Sequence, residues 1–411
     1  MSKPAKFFKD SPDFLKHGYY LVNDFKTLSK FEAWQHARDN NIPIDQIQYN
    51  FNDIEFSKFD WSVEPQESIG TLYANRAREL REKYDHIVIV YSGGVDSHVI
   101  LQTFLENNIK VDEILTFWNS VDKKLLFNQE VFNSAVPFIE SIDLQSLGTK
   151  FNLIDIGPSL QNQFEDTQQL YDTFNAINGL ICPWTYFLRS GKAKVELFPE
   201  HVQMSKNNKK VLYIWGLDKP NVFIEEDHYV FRYVDSVPDF GAKTFINKTI
   251  YGDSLANVYD EGFFVSNESP EIVIKQCHLI VKELSTMNKD DPRLISFGDV
   301  KAGECCIFFD VNSKDPSKTL LLANRSLHKI IYPVAPHRQF NDDKVFGSTF
   351  YTKKDAWFFR QKGEVRNKTV AYYKKILREN DEYFRYTPDG TPDIPKGIIG
   401  KVAYKIKKKE S

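Results

Sequence analysis

His86-Ile87-Val88-Ile89-Val90-Tyr91-Ser92-Gly93-Gly94-Val95-Asp96-Ser97 is the stretch that decides how this chain folds. It begins as a short apolar run and ends in a glycine pair flanked by serine and aspartate. A second apolar run, Val99-Ile100-Leu101, follows, with Phe104 and Leu105 beyond. The order is buried strand, glycine turn, helix start. Such a turn aims backbone N–H groups and a helix N-terminus at one point, which suits a phosphate or pyrophosphate.

The residue types within the turn fit that use. Gly93 and Gly94 let the backbone approach an anion with no Cβ between them. Ser92 and Ser97 offer hydroxyl donors. The helix contributes about half a positive charge at its N-terminus. Asp96 would repel a bare pyrophosphate, so its presence fits a Mg2+ held between the two. Ser92, Gly93, Gly94, Val95, Asp96 and Ser97 are therefore the expected nucleotide-binding loop, with Asp96 as metal ligand.

On either side, strands alternate with helices. Asp60-Trp61-Ser62-Val63-Glu64-Pro65 opens a helix whose apolar face is Ile69, Leu72, Tyr73, Ala77, Leu80 and Tyr84. Arg76, Arg78, Glu79, Arg81, Glu82 and Lys83 read as its solvated face. Strands are predicted at 86–91, 111–118, 151–156 and 210–215. Helical sequence is predicted at 96–107, at 123–142 with a kink or break at Pro137, and at 170–188 with an interruption at Pro183. This pattern predicts an α/β fold, a Rossmann-like parallel sheet with helices on both faces.

Outside it, the chain divides into an N-terminal mixed extension (1–63), a nucleotide-binding domain (64–265) and a mixed C-terminal region (266–411) that would cap the site or select substrate. The extension predicts a helix over 28–40 and extended chain over 47–59. A hairpin is predicted over 221–233, turning near Glu226-Asp227. Ser269-Pro270-Glu271 reads as a serine cap and a first-turn proline opening a helix to about Leu284. Another helix is predicted at 370–380, and the basic end Lys405-Ile406-Lys407-Lys408-Lys409 reads as a frayed, solvated tail.

Composition bounds the function. The chain has 411 residues, 42% hydrophobic and 27% charged, with a net charge of −3. That balance gives no general argument for binding nucleic acid or membrane. No apolar run approaches the roughly 18 residues that span a bilayer, and Met1–Lys9 lacks the apolar region of a signal peptide, so a cytoplasmic location is expected. Cys182, Cys277, Cys305 and Cys306 have no zinc or iron–sulfur spacing and read as buried or free thiols.

At residues 92–97 the chain resembles the PP-loop ATP pyrophosphatase superfamily, whose signature is Ser-Gly-Gly-x-Asp-Ser after the first strand. The resemblance covers about residues 64–235. It implies ATP and Mg2+ as cofactors, cleavage of ATP between the α- and β-phosphates, and transfer of AMP to a substrate oxygen. It also implies that Phe117-Trp118-Asn119, at the end of strand two, contacts the adenosine, although a core aromatic and a turn residue is an equal reading. Trp215-Gly216-Leu217-Asp218-Lys219-Pro220 ends strand four at the same edge. There Gly216 would approach the nucleotide, Asp218 would take a metal and Lys219 would stabilise α-phosphate charge. An ordinary turn remains the other reading. Arg232 is a further candidate or a surface arginine, and His98 either touches ligand or packs locally.

Absences narrow the resemblance. Ser2 replaces the nucleophilic cysteine of glutamine-dependent asparagine synthetases, and the paired cysteines of tRNA thiolases are missing. Gly303-Glu304-Cys305-Cys306 does not match the terminal motif of sulfate-activation reductases. The chain is most similar to asparagine-synthetase-like or bacteriophage-type members. The expected activity is an adenylating ligase acting on a small-molecule acceptor. Modification of a nucleobase, nucleoside or nucleic acid, a reductase-like protein lacking the cysteine motif, and a non-catalytic nucleotide binder are the alternatives.

Overall fold

The computed structural model describes residues 16–28, 30–43, 46–51, 53–118, 120–121, 125–126, 131–156, 159, 190–216, 220, 222–224, 228–233, 240–286, 294–296, 321–323, 384–386, 392–395, 400, 402 and 404–407. Five strands form a parallel sheet: β1 (His86–Val90), β2 (Glu113–Trp118), β3 (Lys150–Asp155), β4 (Val211–Trp215) and β5 (Val258–Gly262). Their order across the sheet is β5-β4-β1-β2-β3, and every neighbouring pair is parallel. The helices around it are α1 (Ile69–Lys83), α2 (Val95–Glu106), α3 (Gly191–Leu197), α4 (Pro199–Lys206), α5 (Phe240–Tyr251) and α6 (Pro270–Leu284).

Strand alternation builds two cores. Ile87, Ile89, Ile114, Leu212 and Ile214 face one side, with Tyr73 and Leu80 of α1, Phe104 of α2 and Cys277 of α6. Val88, Leu115, Tyr213 and Trp215 face the other, with Ala193 of α3, Phe198, and Phe240 of α5. A parallel sheet covered on both faces needs uninterrupted apolar strands, which is why β1 and β4 read so clearly. The result is an α/β, Rossmann-like sheet with helices on both faces. β5 has no such run. It is an edge strand whose middle, Tyr259-Asp260-Glu261, carries two ion-paired acids.

Around this layer, Tyr19–Val22 pairs with Phe25–Thr27 and Gln48–Asn50 in an antiparallel sheet beside a helix, Lys30–Asp39. A second antiparallel sheet contains the expected hairpin, Val222–Ile224 with His228–Phe231. Its turn, Glu226-Asp227, lies outside the described residues, as do the helices predicted at 170–188 and 370–380. Among the described residues no helix is long and apolar enough to cross a membrane.

Several local expectations are corrected. Residues 123–142 do not start as a helix. Leu125–Leu126 pairs with Ser120–Val121, a π-turn spans Val131–Ala135, and the regular helix is Val136–Glu140. Pro137 stands where the π-helix passes into the α-helix, so the helical segment 131–140 changes its hydrogen-bonding pattern at the proline, as a kink or break there would have it. Extended chain over 47–59 ends at Asn50, and Asp53–Phe56 turns helical after Asp53 accepts the Phe51 N–H at 3.2 Å. Ser269 precedes α6 but makes no side-chain cap; its hydroxyl reaches Glu79 at 3.4 Å.

Of the basic tail, Lys405–Lys407 belong to a strand, and residues 408–409 lie outside the described residues. Tyr404–Lys407 pairs antiparallel with His228–Phe231, burying Tyr404 and Ile406 and exposing Lys405 and Lys407. The lysines are the outward half of a period-two pattern. Tyr404 stacks on Trp61 with ring centroids 4.2 Å apart and donates its hydroxyl to Asp53 at 2.8 Å. Arg76 is also corrected: its side chain is 1% exposed, not solvated. It binds Glu261 of β5, Glu268 at 3.2 Å and Ser266 at 3.2 Å, tying α1 to the chain between β5 and α6. Lys83 joins through Glu268 at 2.6 Å.

Two outcomes follow for stability. Tyr404→Ala is expected to lower unfolding free energy by ~3–5 kcal/mol in chemical denaturation, whereas Lys405→Ala stays within ~0.5 kcal/mol of wild type. Burial pushes the Glu268 carboxyl up, but the hydrogen bond from Lys83 and the charges of Lys83 and Arg76 outweigh it and hold the group below its ordinary value. Its contribution is therefore present above the unfolded-state value of about 4.3 and is lost as pH falls through the lower folded-state value. Denaturation midpoints measured on acidification should fall less steeply for Glu268→Gln than for wild type.

Candidate functional site

The strand order reverses at β1. β2 and β3 lie to one side of it, β4 and β5 to the other. Connections leaving β1 and β4 therefore diverge, opening a crevice beyond the carboxyl ends of these two strands. The 92–97 loop follows β1 and Gly216 follows β4, so both flank that crevice.

The loop is built from its own hydroxyls. Tyr91 N–H continues the ladder to the Leu115 carbonyl at 2.8 Å, and Thr116 donates its hydroxyl to the Tyr91 carbonyl at 2.8 Å. The chain then leaves the sheet. Ser97 Oγ accepts the Ser92 N–H at 3.1 Å and donates to the Gly94 carbonyl at 3.1 Å, while Gly94 N–H donates to Ser92 Oγ at 3.2 Å. These bonds close a small ring. Gly93 has φ +82°, a left-handed conformation that disfavours a Cβ. α2 starts after Gly94 with no side-chain cap, so its first N–H groups find no partner from that quarter.

Ser92 is exposed at the rim, whereas Ser97 is 4% exposed and braces the loop. Asp96 is half-buried in the first turn of α2. Its charge is felt at Tyr73: burial pushes the phenol well up, the hydrogen bond from Gln276 at 2.8 Å opposes this, and Asp96 adds to the rise.

Gly216 fits against the loop without room to spare. A Cβ there would lie 2.9 Å from Ser97 N and 3.1 Å from the Asp96 carbonyl carbon. Both are backbone atoms fixed in a helix, so neither can step aside. Trp118 ends β2 on the same edge, half-buried, its ring edge-on to Phe132 at 5.6 Å. Asn119, Asp218 and Lys219 lie outside the described residues. Arg232 is half-buried just after the strand His228–Phe231. His98 is 3% exposed, 3.0 Å from the Tyr91 hydroxyl and edge-on to Phe138 at 4.5 Å, so it packs locally.

Three contributors carry no signal in the sequence. Ser134 donates its buried hydroxyl to the Gly93 carbonyl at 3.0 Å, from 41 positions away. Lys194 forms a fully buried ion pair with Asp260, and Asp260 accepts the Trp215 indole N–H at 2.9 Å. This pair fastens the end of β4, one residue before Gly216, to β5 and α3. In sequence Lys194 resembles any surface lysine of a short polar helix. His278 Nε2 donates to the Trp61 carbonyl at 2.9 Å, away from the loop. Cys277 is a buried thiol raised by that burial, while Cys182, Cys305 and Cys306 lie outside the described residues.

A cavity of about 450 Å3 opens elsewhere, at the β5 edge, lined by Phe240, Phe245, Tyr259 and Lys248 among others and by no residue of the 92–97 loop. Burial there, with the nearby Lys210 charge, lowers the Lys248 amine to about 8 as it lies 3.6 Å over the Tyr259 ring.

No protein-family model and no curated protein matches this chain. Gly216→Ala should displace the loop from β4 and destabilise the fold by ~1–3 kcal/mol. Gly93→Ala should cost ~1–2 kcal/mol through its left-handed backbone alone. Chemical denaturation of the two variants checks both values.

Proposed function

We propose that this protein is an ATP-dependent adenylating enzyme of the PP-loop type, which cleaves ATP to AMP and pyrophosphate to activate an acceptor oxygen. The observation that supports this most directly is the close seat of Gly216 on the first turn of α2. It leaves a glycine-walled cradle at the topological switch point, with Ser92 at the rim and Asp96 beside it. The residues fit a magnesium-bound triphosphate. Backbone N–H groups and the helix N-terminus favour anions, and a half-buried carboxylate placed among them suits a bridging divalent cation.

In this reading Asp96 would hold Mg2+, with Asp218 as a second ligand. The ion neutralises the pyrophosphate charge when bound. The 92–97 backbone orients the β- and γ-phosphates. Lys219 stabilises charge developing at the α-phosphate. Trp118 and Asn119 receive the adenosine, and the acceptor enters beside Gly216–Lys219. Holding both reactants in one crevice supplies the proximity contribution, which reaches about 7–11 kcal/mol in favourable cases.

Incubation of the protein with ATP, Mg2+ and panels of carboxylic acids and nucleobases is expected to yield AMP and pyrophosphate. Asp96→Asn should reduce that yield by ~100-fold or more with its unfolding midpoint near that of wild type. Release of ADP and phosphate, or no AMP with any acceptor, would refute the assignment.

A further inference from the structure

The opposite, amino edge of the sheet carries a second constellation. His86 and Glu113 are the first residues of β1 and β2, and His201 comes from α4, which packs on the same face. His201 Nε2 lies 3.1 Å from Glu113 Oε2, and His86 Nε2 lies 3.7 Å from that same oxygen. The three donor atoms all fall within 4.8 Å of one another. Four-coordinate zinc with bonds of about 2.0–2.1 Å places its ligand atoms ~3.3 Å apart. The two measured spacings bracket that value.

The surroundings are those of a ligand set. The Glu113 and His201 side chains are 2% and 1% exposed, and His86 is 18% exposed with its Nε2 itself buried. His201 Nδ1 shares a 2.5 Å hydrogen bond with the Tyr213 hydroxyl, and Asn152 donates to the second Glu113 oxygen at 2.6 Å. These contacts orient each ligand from behind, as outer partners of metal ligands do. His86 Nε2 is buried and makes no hydrogen bond among the described residues. A buried imidazole nitrogen aimed at a carboxylate it does not bond is left wanting a partner.

We propose that His86 Nε2, His201 Nε2 and Glu113 Oε2 bind one divalent transition metal, with zinc the best match and a water as its fourth ligand. Two imidazoles and one carboxylate select against Mg2+, which takes oxygen ligands. On binding, the hydrogen bond between His201 and Glu113 gives way to a metal bond from each, and the neutral imidazole carries its proton on Nδ1, donated to the Tyr213 hydroxyl. The ion would pin β1, β2 and α4 together at the end of the sheet remote from the nucleotide loop. This site is independent of the loop and of the function proposed for it.

The test uses the purified full chain, stripped with a chelator and titrated with Zn2+ against a chromophoric competitor. One equivalent is expected to bind, to raise the thermal midpoint and to be reversed by chelator. His86→Ala should weaken binding by more than the ~10–100-fold that loss of an outer partner costs, and Tyr213→Phe should fall within that range. Co2+ loaded into the wild-type chain should give the intense visible bands of a four-coordinate ion, a readout that needs no variant to fold. Absence of stoichiometric Zn2+ binding, or binding indifferent to His86→Ala, would overturn the proposal. Asp96→Asn should leave Zn2+ binding unchanged, and loss of it there would also count against an independent site.

Discussion

The seat of Gly216 against the backbone of Asp96 and Ser97 is the constraint on which the candidate site depends. Two strands that are neighbours in the sheet end side by side at this point, one running into the 92–97 loop and the other into Gly216. Any side chain on Gly216 would meet helix backbone at about van der Waals overlap. The crevice can exist only if β4 ends in glycine and α2 begins directly beside it. Loop, helix N-terminus and strand end are thus one rigid unit.

The supports of that unit come from distant parts of the chain. Ser134 holds the Gly93 carbonyl, and Thr116 holds the Tyr91 carbonyl. The buried Lys194–Asp260 pair clamps the Trp215 indole and, with it, the last turn of chain before Gly216. Removing one partner of such a pair would strand a charge in the core, so the pair specifies an arrangement more than it stabilises one. Arg76 plays a similar part on the other face, where α1 meets Glu261 and Glu268. Supports of this kind hold the 92–97 loop in one arrangement, which is what the proposed function would require of its donors.

How far the sequence could be read depended on burial. Strands covered on both faces, β1 and β4, announce themselves as apolar runs. The edge strand β5 does not, because Asp260 and Glu261 are buried only by virtue of Lys194, Arg76 and Lys83. The terminal lysines mislead for the converse reason: alternation with Tyr404 and Ile406 makes them one face of a strand, and only the partner strand His228–Phe231 reveals it. Pro137 reads as a helix breaker, and it stands where a π-helix gives way to an α-helix. The His86–Glu113–His201 constellation is invisible to spacing, since its members are separated by 27 and 88 positions and have no motif in common.

The sequence by itself determined the strand–glycine turn–helix at 86–106 and the parallel α/β character of the sheet. Those follow from local apolar period, glycine geometry and helix polarity, all of which act within a dozen residues. Only the tertiary structure decided the strand order, the approach of Gly216 to Ser97, the burial of Arg76 and Lys194, and the meeting of two histidines with Glu113. These are contacts across tens or hundreds of positions, set by how the two faces of the sheet are packed, and no local preference encodes them.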